Sequence, residues 1–408
     1  MTIEQVNLGD VADMLSGFAF KSAEFLDHSE EGVFLVRGDN VQQGFIRWGE
    51  KAKKWRSDAY DDLSRYHLQK DDVILAMDRP IVGGGLKLAW IKDQDLPSLL
   101  VQRVTRIRGI NDKARTNFLR YVLSTPDFLA HIDKITTGAN IPHISGKDIA
   151  SFTFQLPELG VQDRIVEFIA AYDDLIENNQ RRIALLEESA RLLYREWFVN
   201  LRFPGFESVP LTLGVPAGWC KAAIAEQTIF LNRGITPAYN ESAPGLVINQ
   251  KCIREGRLSM SPARRQSKDV KLERLIQTGD VLINSTGAGT LGRVAQVRSP
   301  VENCTVDTHV TIARPMGKEW ATYFGQALLS LEPTFSAMGK GATNQLELNR
   351  ADIGAIEIWR PPVGVALDFH ELVWPMLEHA ENLLSANGKL VEARDALLPK
   401  LMSGEIQV

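Results

Sequence analysis

The residues whose spacing comes nearest to known chemistry are Gly287-Ala288-Gly289-Thr290-Leu291-Gly292, which spell G-x-G-x-x-G after an apolar run. A dinucleotide site needs a helix to begin there, so that its N-terminus meets the pyrophosphate. Arg293–Val297 reads instead as another strand, so the segment is expected to be a glycine-rich hairpin loop. Gly339-Lys340-Gly341 lacks the spacing of a P-loop, and no G-x-S-x-G nucleophile elbow occurs. The seven histidines (His28, His67, His131, His143, His309, His370, His379) show no metal-ligand spacing with each other or with Cys220, Cys252 and Cys304. The paired acids Asp61-Asp62 and Asp71-Asp72 lie beside turns and read as strand boundaries. No catalytic constellation emerges, and no cofactor or metal is expected on this chain.

What remains is recognition chemistry. The net charge of −5 argues on its face against a nucleic-acid partner, but the distribution matters more than the sum. Residues 1–160 carry −2, 161–200 carry −3, 201–360 carry +4 and 361–408 carry −4. Within the positive stretch, Lys251, Arg254, Arg257, Arg264, Arg265, Lys268, Lys271 and Arg274 face only Glu255, Asp269 and Glu273. No apolar run reaches the ~20 residues needed to cross a bilayer. The N-terminal residues lack a secretory pattern, and three scattered cysteines do not read as a disulfide framework. A cytoplasmic protein is expected.

The elements that must position these residues are written twice. Shifted by 204 positions, Asp148-Ile149 falls on Asp352-Ile353. Likewise Ile165, Ile169, Tyr172, Ile176, Asn179, Ile183, Leu186, Ala190, Leu193 and Trp197 fall on Phe369, Val373, Met376, Ala380, Leu383, Asn387, Leu390, Arg394, Leu397 and Leu401. Steps of 4 and 3 make a heptad seam. A period of about 200 residues is a duplicated domain, not a solenoid unit. Before each seam lies a module of short strands. In the first, strands are predicted at Val33–Arg37, Gly44–Trp48, Asp72–Ala76, Leu86–Ile91 and Val101–Ile107, with helices at Phe118–Leu123 and Phe128–Ile135. The second repeats the order at Leu246–Asn249, Gly256–Leu258, Asp280–Asn284, Arg293–Val297, Val310–Ala313 and Phe324–Ser330. Each module ends in a polar Gly-Ala loop, Thr136–Ile141 and Gly339–Gln345, and a proline segment then leads into the long helix.

From Val161 to Phe198 neither proline nor glycine interrupts the heptads, and some 35 residues make a rod of about 50 Å. Asn179 is a polar seam residue of the kind that fixes register. In the second copy Pro375 suggests a late start or a kink, Gly388 weakens the middle and Pro399 tightens the end. The two helices are expected to pack against each other, antiparallel, through Ile165, Ile169, Tyr172, Ile176, Asn179, Ile183, Leu186 and Leu193 on one and Phe369, Val373, Met376, Leu383, Leu390 and Leu397 on the other. The fold class is α+β, with domains at 1–158, 159–200, 201–362 and 363–408 and a pseudo-twofold axis across the helices.

Several stretches carry a family likeness. They are Leu8-Gly9-Asp10-Val11 followed by Gly17-Phe18-Ala19-Phe20-Lys21-Ser22, Val36–Val41, the Gly-Ala-Asn loop before Asp148-Ile149, and Arg394–Ile406. In this order, and duplicated, the chain resembles the specificity subunit of type I restriction–modification enzymes. The resemblance implies that each module is a target-recognition domain reading one half of a split double-stranded DNA sequence, with the helices setting the unread spacer. It implies two methylation subunits and two motor-nuclease restriction subunits as partners. S-adenosylmethionine, ATP and Mg would be bound on those partners, for adenine-N6 methylation and restriction. This chain would be non-catalytic by itself.

Base edges are read by Arg, Lys, Asn, Gln, Ser and Thr, and phosphates by Lys and Arg. On that chemistry and their loop or strand-end positions, the candidate DNA-contacting residues are Lys21, Arg37, Arg79, Lys87, Thr137, Asn140 and His143 in the first module. In the second they are Arg233, Lys251, Arg254, Ser285, Arg293, Lys340, Thr343, Asn344 and Gln345. The rival from another class is a two-headed protein-binding adaptor built on a coiled coil. A second rival is an enzyme using Gly287–Gly292 for a nucleotide.

Overall fold

The computed structural model describes residues 3–136, 142–340 and 346–408. The chain divides into two compact units, residues 1–176 with 388–408 and residues 177–387.

In the first unit, strands Ala12–Ser16, Val104–Gly109, Val73–Ala76 and Leu88–Trp90 form an antiparallel sheet in that spatial order. A second sheet runs Ser98–Leu100, Val33–Val36, Lys53–Trp55, Leu26–Asp27, with its first pair parallel. A separate ribbon pairs Ile3–Asn7 with Thr153–Pro157. The second unit repeats this plan. Its main sheet runs Thr228–Arg233, Val310–Pro315, Val281–Asn284, Val294–Gln296. Its smaller sheet runs Cys304–Val306, Gly245–Ile248, Arg264–Gln266, again with the first pair parallel, and its ribbon pairs Cys220–Ala223 with Glu357–Arg360. Matched elements drift relative to the 204-residue offset of the helices, because loops between strands differ in length.

Two repeated details show how sequence fixes this plan. A Cβ on Gly17 would lie 2.3 Å from the Val101 backbone, and one on Gly234 1.9 Å from the Val306 carbonyl oxygen, so only glycine allows the crossing where the two sheets meet. At the head of each central strand a buried carboxylate, Asp72 or Asp280, accepts the Gln69 or Gln277 amide across the turn and takes an arginine from the neighbouring strand. Arg314 binds Asp280 through both Nε (2.7 Å) and Nη2 (2.8 Å), and Arg108 binds Asp72 in the same forked way. Of the acids read as strand boundaries, Asp72 does precede a strand and also anchors the sheet, whereas Asp61 and Asp62 open a 3-10 helix, Asp61–Tyr66, and bound no strand.

The long helices are Leu159–Tyr194, continued by a π turn at Arg195–Val199, and Val363–Met402. In the first unit Val161, Ile165 and Ile169 share a core with Phe118, Phe128, Leu398 and Leu401. In the second, Ala190, Trp197 and Phe198 share a core with Phe369, Val373 and Leu377, and Ile183 packs on Ala380 and Leu383 with Leu186 at its edge. Thus within each unit the beginning of one long helix lies against the end of the other. Asn179 Nδ2 donates to Asn387 Oδ1 at 2.9 Å, which satisfies two of the polar residues expected in the seam.

Two expectations are corrected. The C-terminal helix neither starts late nor breaks at Pro375. That residue is exposed, so the carbonyl its ring frees faces water instead of the core. The seam of the same helix also drifts from the strict heptad: Leu377 and Leu398 are buried, while Met376 and Leu397 are only half-buried beside them. A helix of 3.6 residues per turn slips against a 3.5 repeat, so the apolar face moves by one residue along its length. Tyr172, Leu193 and Leu390 are also half-buried, whereas Ile176 is buried. No helix among the described residues is long and apolar enough to cross a membrane.

Candidate nucleic-acid interface

In the first module the chain leaves Val73–Ala76 at Met77, turns through Arg79 at φ +46°, and pairs Asp78 with His143. The Arg79 amide donates to the Pro142 carbonyl (2.7 Å) and the Ile144 amide to that of Met77 (3.0 Å). These bonds pin one stem of the Gly-Ala loop to the sheet edge. Asp78 accepts from His143 Nδ1 (2.6 Å) and Arg103 Nη1 (2.8 Å). Burial raises its carboxyl, but these two donors outweigh burial and hold it below the usual carboxylate range. Lys87 is half-buried near Asp39, Asp78 and Arg79, and burial lowers its amine below the ordinary value. Arg37 ends its strand with Nη2 3.3 Å from Asp39, its guanidinium over the Phe25 ring. The structure thus gathers Arg37, Arg79, Lys87 and His143 around the carboxylates Asp39 and Asp78. Lys21 is exposed and paired locally with Glu24 at 3.6 Å. Thr137 and Asn140 lie outside the described residues.

The second module builds the same edge from different residues. Thr286 pairs with Glu347 where the first has Asp78 and His143, and Lys340 pairs with Glu347 through both backbone bonds (3.0 and 2.9 Å). Arg233 forms an ion pair with Glu347 and donates to the Leu348 carbonyl at 2.9 Å. The Lys340 ammonium is exposed, 3.0 Å from Asp352. Arg233 and Lys340 therefore flank one loop stem, while Thr343, Asn344 and Gln345 lie outside the described residues.

Gly287, Gly289 and Gly292 have φ of +106°, +72° and +80°, and the segment closes a hairpin between Val281–Asn284 and Val294–Gln296. The glycine signature reflects turn geometry, and a strand stands where a pyrophosphate site would need a helix. Arg293 folds back on this hairpin to donate to the Gly289 carbonyl (2.8 Å), and exposed Lys251 lies on the adjacent turn. Arg254 is exposed beside Glu255, at 3.4 Å.

Ser285 is corrected. It is fully buried, and its hydroxyl is bound to that of Thr311 at 2.6 Å. It directly follows the strand Val281–Asn284, which is buried on both faces, and that burial carries on through Ser285. The basic run at 251–274 does not form one free positive face either. Arg257 is tied to Glu187, Arg264 covers the Tyr239 ring at 3.7 Å, and Arg265 and Arg274 donate to the Ala243 and Arg233 carbonyls.

Sequence reasoning overlooked the carboxylates Asp78, Glu347 and Asp352, which hold the basic side chains in place. Asp78 follows a predicted strand at the position matched by Thr286, so the duplication pointed to that corner without indicating a charge. Among the described residues, no cluster of three or more His, Cys, Asp or Glu could hold a metal ion.

Residues 2–188 match the family described as the type I restriction modification DNA specificity domain. That match covers the first module and most of the first long helix. The MjaVIII specificity subunit of Methanocaldococcus jannaschii is 32% identical over 188 residues, which cover 46% of this chain and 43% of that one. The EcoAI specificity subunit of Escherichia coli is 34% identical over 174 residues, 43% of this chain and 28% of its own. The chain thus spans less than half the length of these two relatives. The HindI specificity subunit of Haemophilus influenzae is 22% identical over 456 residues, 92% of this chain and 94% of that relative. The crystal structure of an S subunit from M. genitalium superposes with a TM-score of 0.62 at 14% identity, covering 98% and 96% of the two chains, and so has the same fold.

Proposed function

We propose that this chain is the DNA-reading subunit of a type I restriction–modification enzyme in the cytoplasm, each module reading one half of a bipartite target. The observation that carries this reading is that one recognition edge, a loop stem flanked by arginine, lysine or histidine, is built twice in one chain on the same sheet plan. In this reading the two long helices form an antiparallel coiled coil with pseudo-twofold symmetry and a module at each end. Its support is that, within each unit, the start of one helix lies against the end of the other. The domains run 1–158, 159–200, 201–362 and 363–408.

Arg37, Arg79, Lys87 and His143, with Thr137 and Asn140 of the adjoining loop and with Lys21, contact the first half-site. Arg233, Lys251, Arg254, Arg293 and Lys340, with Thr343, Asn344 and Gln345, contact the second. Two methylation subunits and two restriction subunits supply all bond-making, and S-adenosylmethionine, ATP and Mg are held by them and not by this chain. The chain's acidic balance fits phosphate contacts shared with those partners. Methylome sequencing of a host with and without this gene tests the reading. One bipartite adenine motif should vanish with the gene, and an unchanged methylome overturns the proposal.

A further inference from the structure

Each unit contains the same corner, where a module meets the long helices, and each corner holds an open cleft, of about 490 Å³ in the first unit and about 430 Å³ in the second. The walls match through the duplication. Gly44 and Ser124 stand in the first where Gly256 and Ser330 stand in the second, and Leu398 stands where Tyr194 does. Yet the charges are not inherited, since Asp173 of the first corner falls on Leu377 of the second.

Each corner has acquired its own carboxylate, and both belong to the central helix, two heptads apart at Asp173 and Glu187. Each takes two arginines. Asp173 accepts from Arg120 of the module, from Arg394 Nη1 (2.8 Å) and from the Tyr121 hydroxyl (2.8 Å). Glu187 accepts from Arg257 Nε (3.0 Å) and Arg298 Nη1 (2.8 Å), both from the module, and Arg298 also lies 3.6 Å from Glu381. Arg120 is held between the Trp90 and Tyr121 rings, 4.0 and 4.5 Å from their centroids, so its fork has one orientation.

These groups are costly. The side chains of Arg120 and Arg298 are 13% and 4% exposed, and the Nε of each is buried without a hydrogen-bond partner. Buried ion pairs of this kind are often no more stabilising than apolar residues of equal volume, but they impose direction, which apolar contacts do not. Two independently built, imperfectly satisfied arginine–carboxylate contacts at the same corner fit a role in orientation better than one in stability.

We infer that Asp173 and Glu187 are positioning residues that fix the tilt of each module on the helices and thereby set the tolerated spacer between half-sites. A tilt that moves the loops by about 3.4 Å shifts a module by one base step, so a loose corner lets it accept a neighbouring register. The inference rests on the DNA-reading proposal above.

The test uses the full chain assembled with its methylation subunits. Duplexes carry the half-sites found by methylome sequencing, with the spacer native or changed by one base pair in either direction. Asp173→Asn and Glu187→Gln should each lower discrimination against altered spacers at least fivefold while base preference within each half-site stays as in the wild type. Arg257→Gln, at a half-exposed site, should reproduce Glu187→Gln if the latter does not fold. Undiminished spacer discrimination in folded variants overturns the inference, as does failure of all three to fold, which would make the groups purely structural. A wild-type complex that recognises no bipartite target overturns the parent reading instead.

Discussion

Glu187 shows how one side chain is governed by its surroundings. Burial pushes its carboxyl up, but Arg257 and Arg298 outweigh burial and hold it below the ordinary value of 4.5. A carboxylate depressed in the folded state adds stability above its unfolded pKa and loses it as pH falls through the folded one. Urea midpoints of the wild type should therefore drop as pH falls below about 4.5, and Glu187→Gln should remove this contribution. Glu381, which burial raises, works in the opposite sense, so the comparison must be between wild type and the Glu187 variant. An equal pH slope in both proteins would refute the ion-pair account. On the reading edge, Lys340→Ala should weaken DNA binding across all sequences and lower the log–log salt slope by about 1, whereas Gln345→Ala should change which second half-site is read. Salt titrations of assembled complexes distinguish the two effects. Residue-level legibility was uneven. Arg79, His143, Arg233 and Lys340 do lie in loops or at strand ends, since strand ends could be read from apolar runs. The burial of Ser285 could not, because the burial of both faces of its strand continues past the point where the apolar residues stop.

At the scale of elements, the long helices were legible from heptad spacing, and so were Asn179 and Asn387 as polar seam residues. That these two meet was not, since matching by duplication sets Asn179 opposite Leu383. Asn179→Leu should cost about 1–3 kcal/mol by removing the donor that the Asn387 carbonyl accepts. The double change Asn179→Leu with Asn387→Leu should recover most of that, because a buried polar pair costs dehydration that leucines do not. Phe369→Ala removes a ring buried against Trp197 and Phe198 and should cost about 3–5 kcal/mol. Chemical denaturation measures all three. Pro375 shows the limit of propensity, which penalises proline in a helix interior without knowing which face it occupies. Exposed, it leaves the helix intact.

For the whole molecule, the strand that follows the G-x-G-x-x-G segment, where a nucleotide site would need a helix, frames a clear expectation. Isothermal titration of the isolated chain with S-adenosylmethionine, ATP or NAD should give no binding heat. Stoichiometric binding of any one would assign chemistry to this chain and overturn the proposed reading role. The sequence by itself determined that one plan is used twice, that strand-rich modules precede heptad helices, and that the glycine-rich loop joins two strands, because periodicity and turn residues are local properties. Tertiary structure alone decided which charges are free and which are tied, as with Arg120 and Arg394 on Asp173, or Arg257 and Arg298 on Glu187. These partners lie from dozens to hundreds of residues apart in the chain, and only folding sets the distance between them.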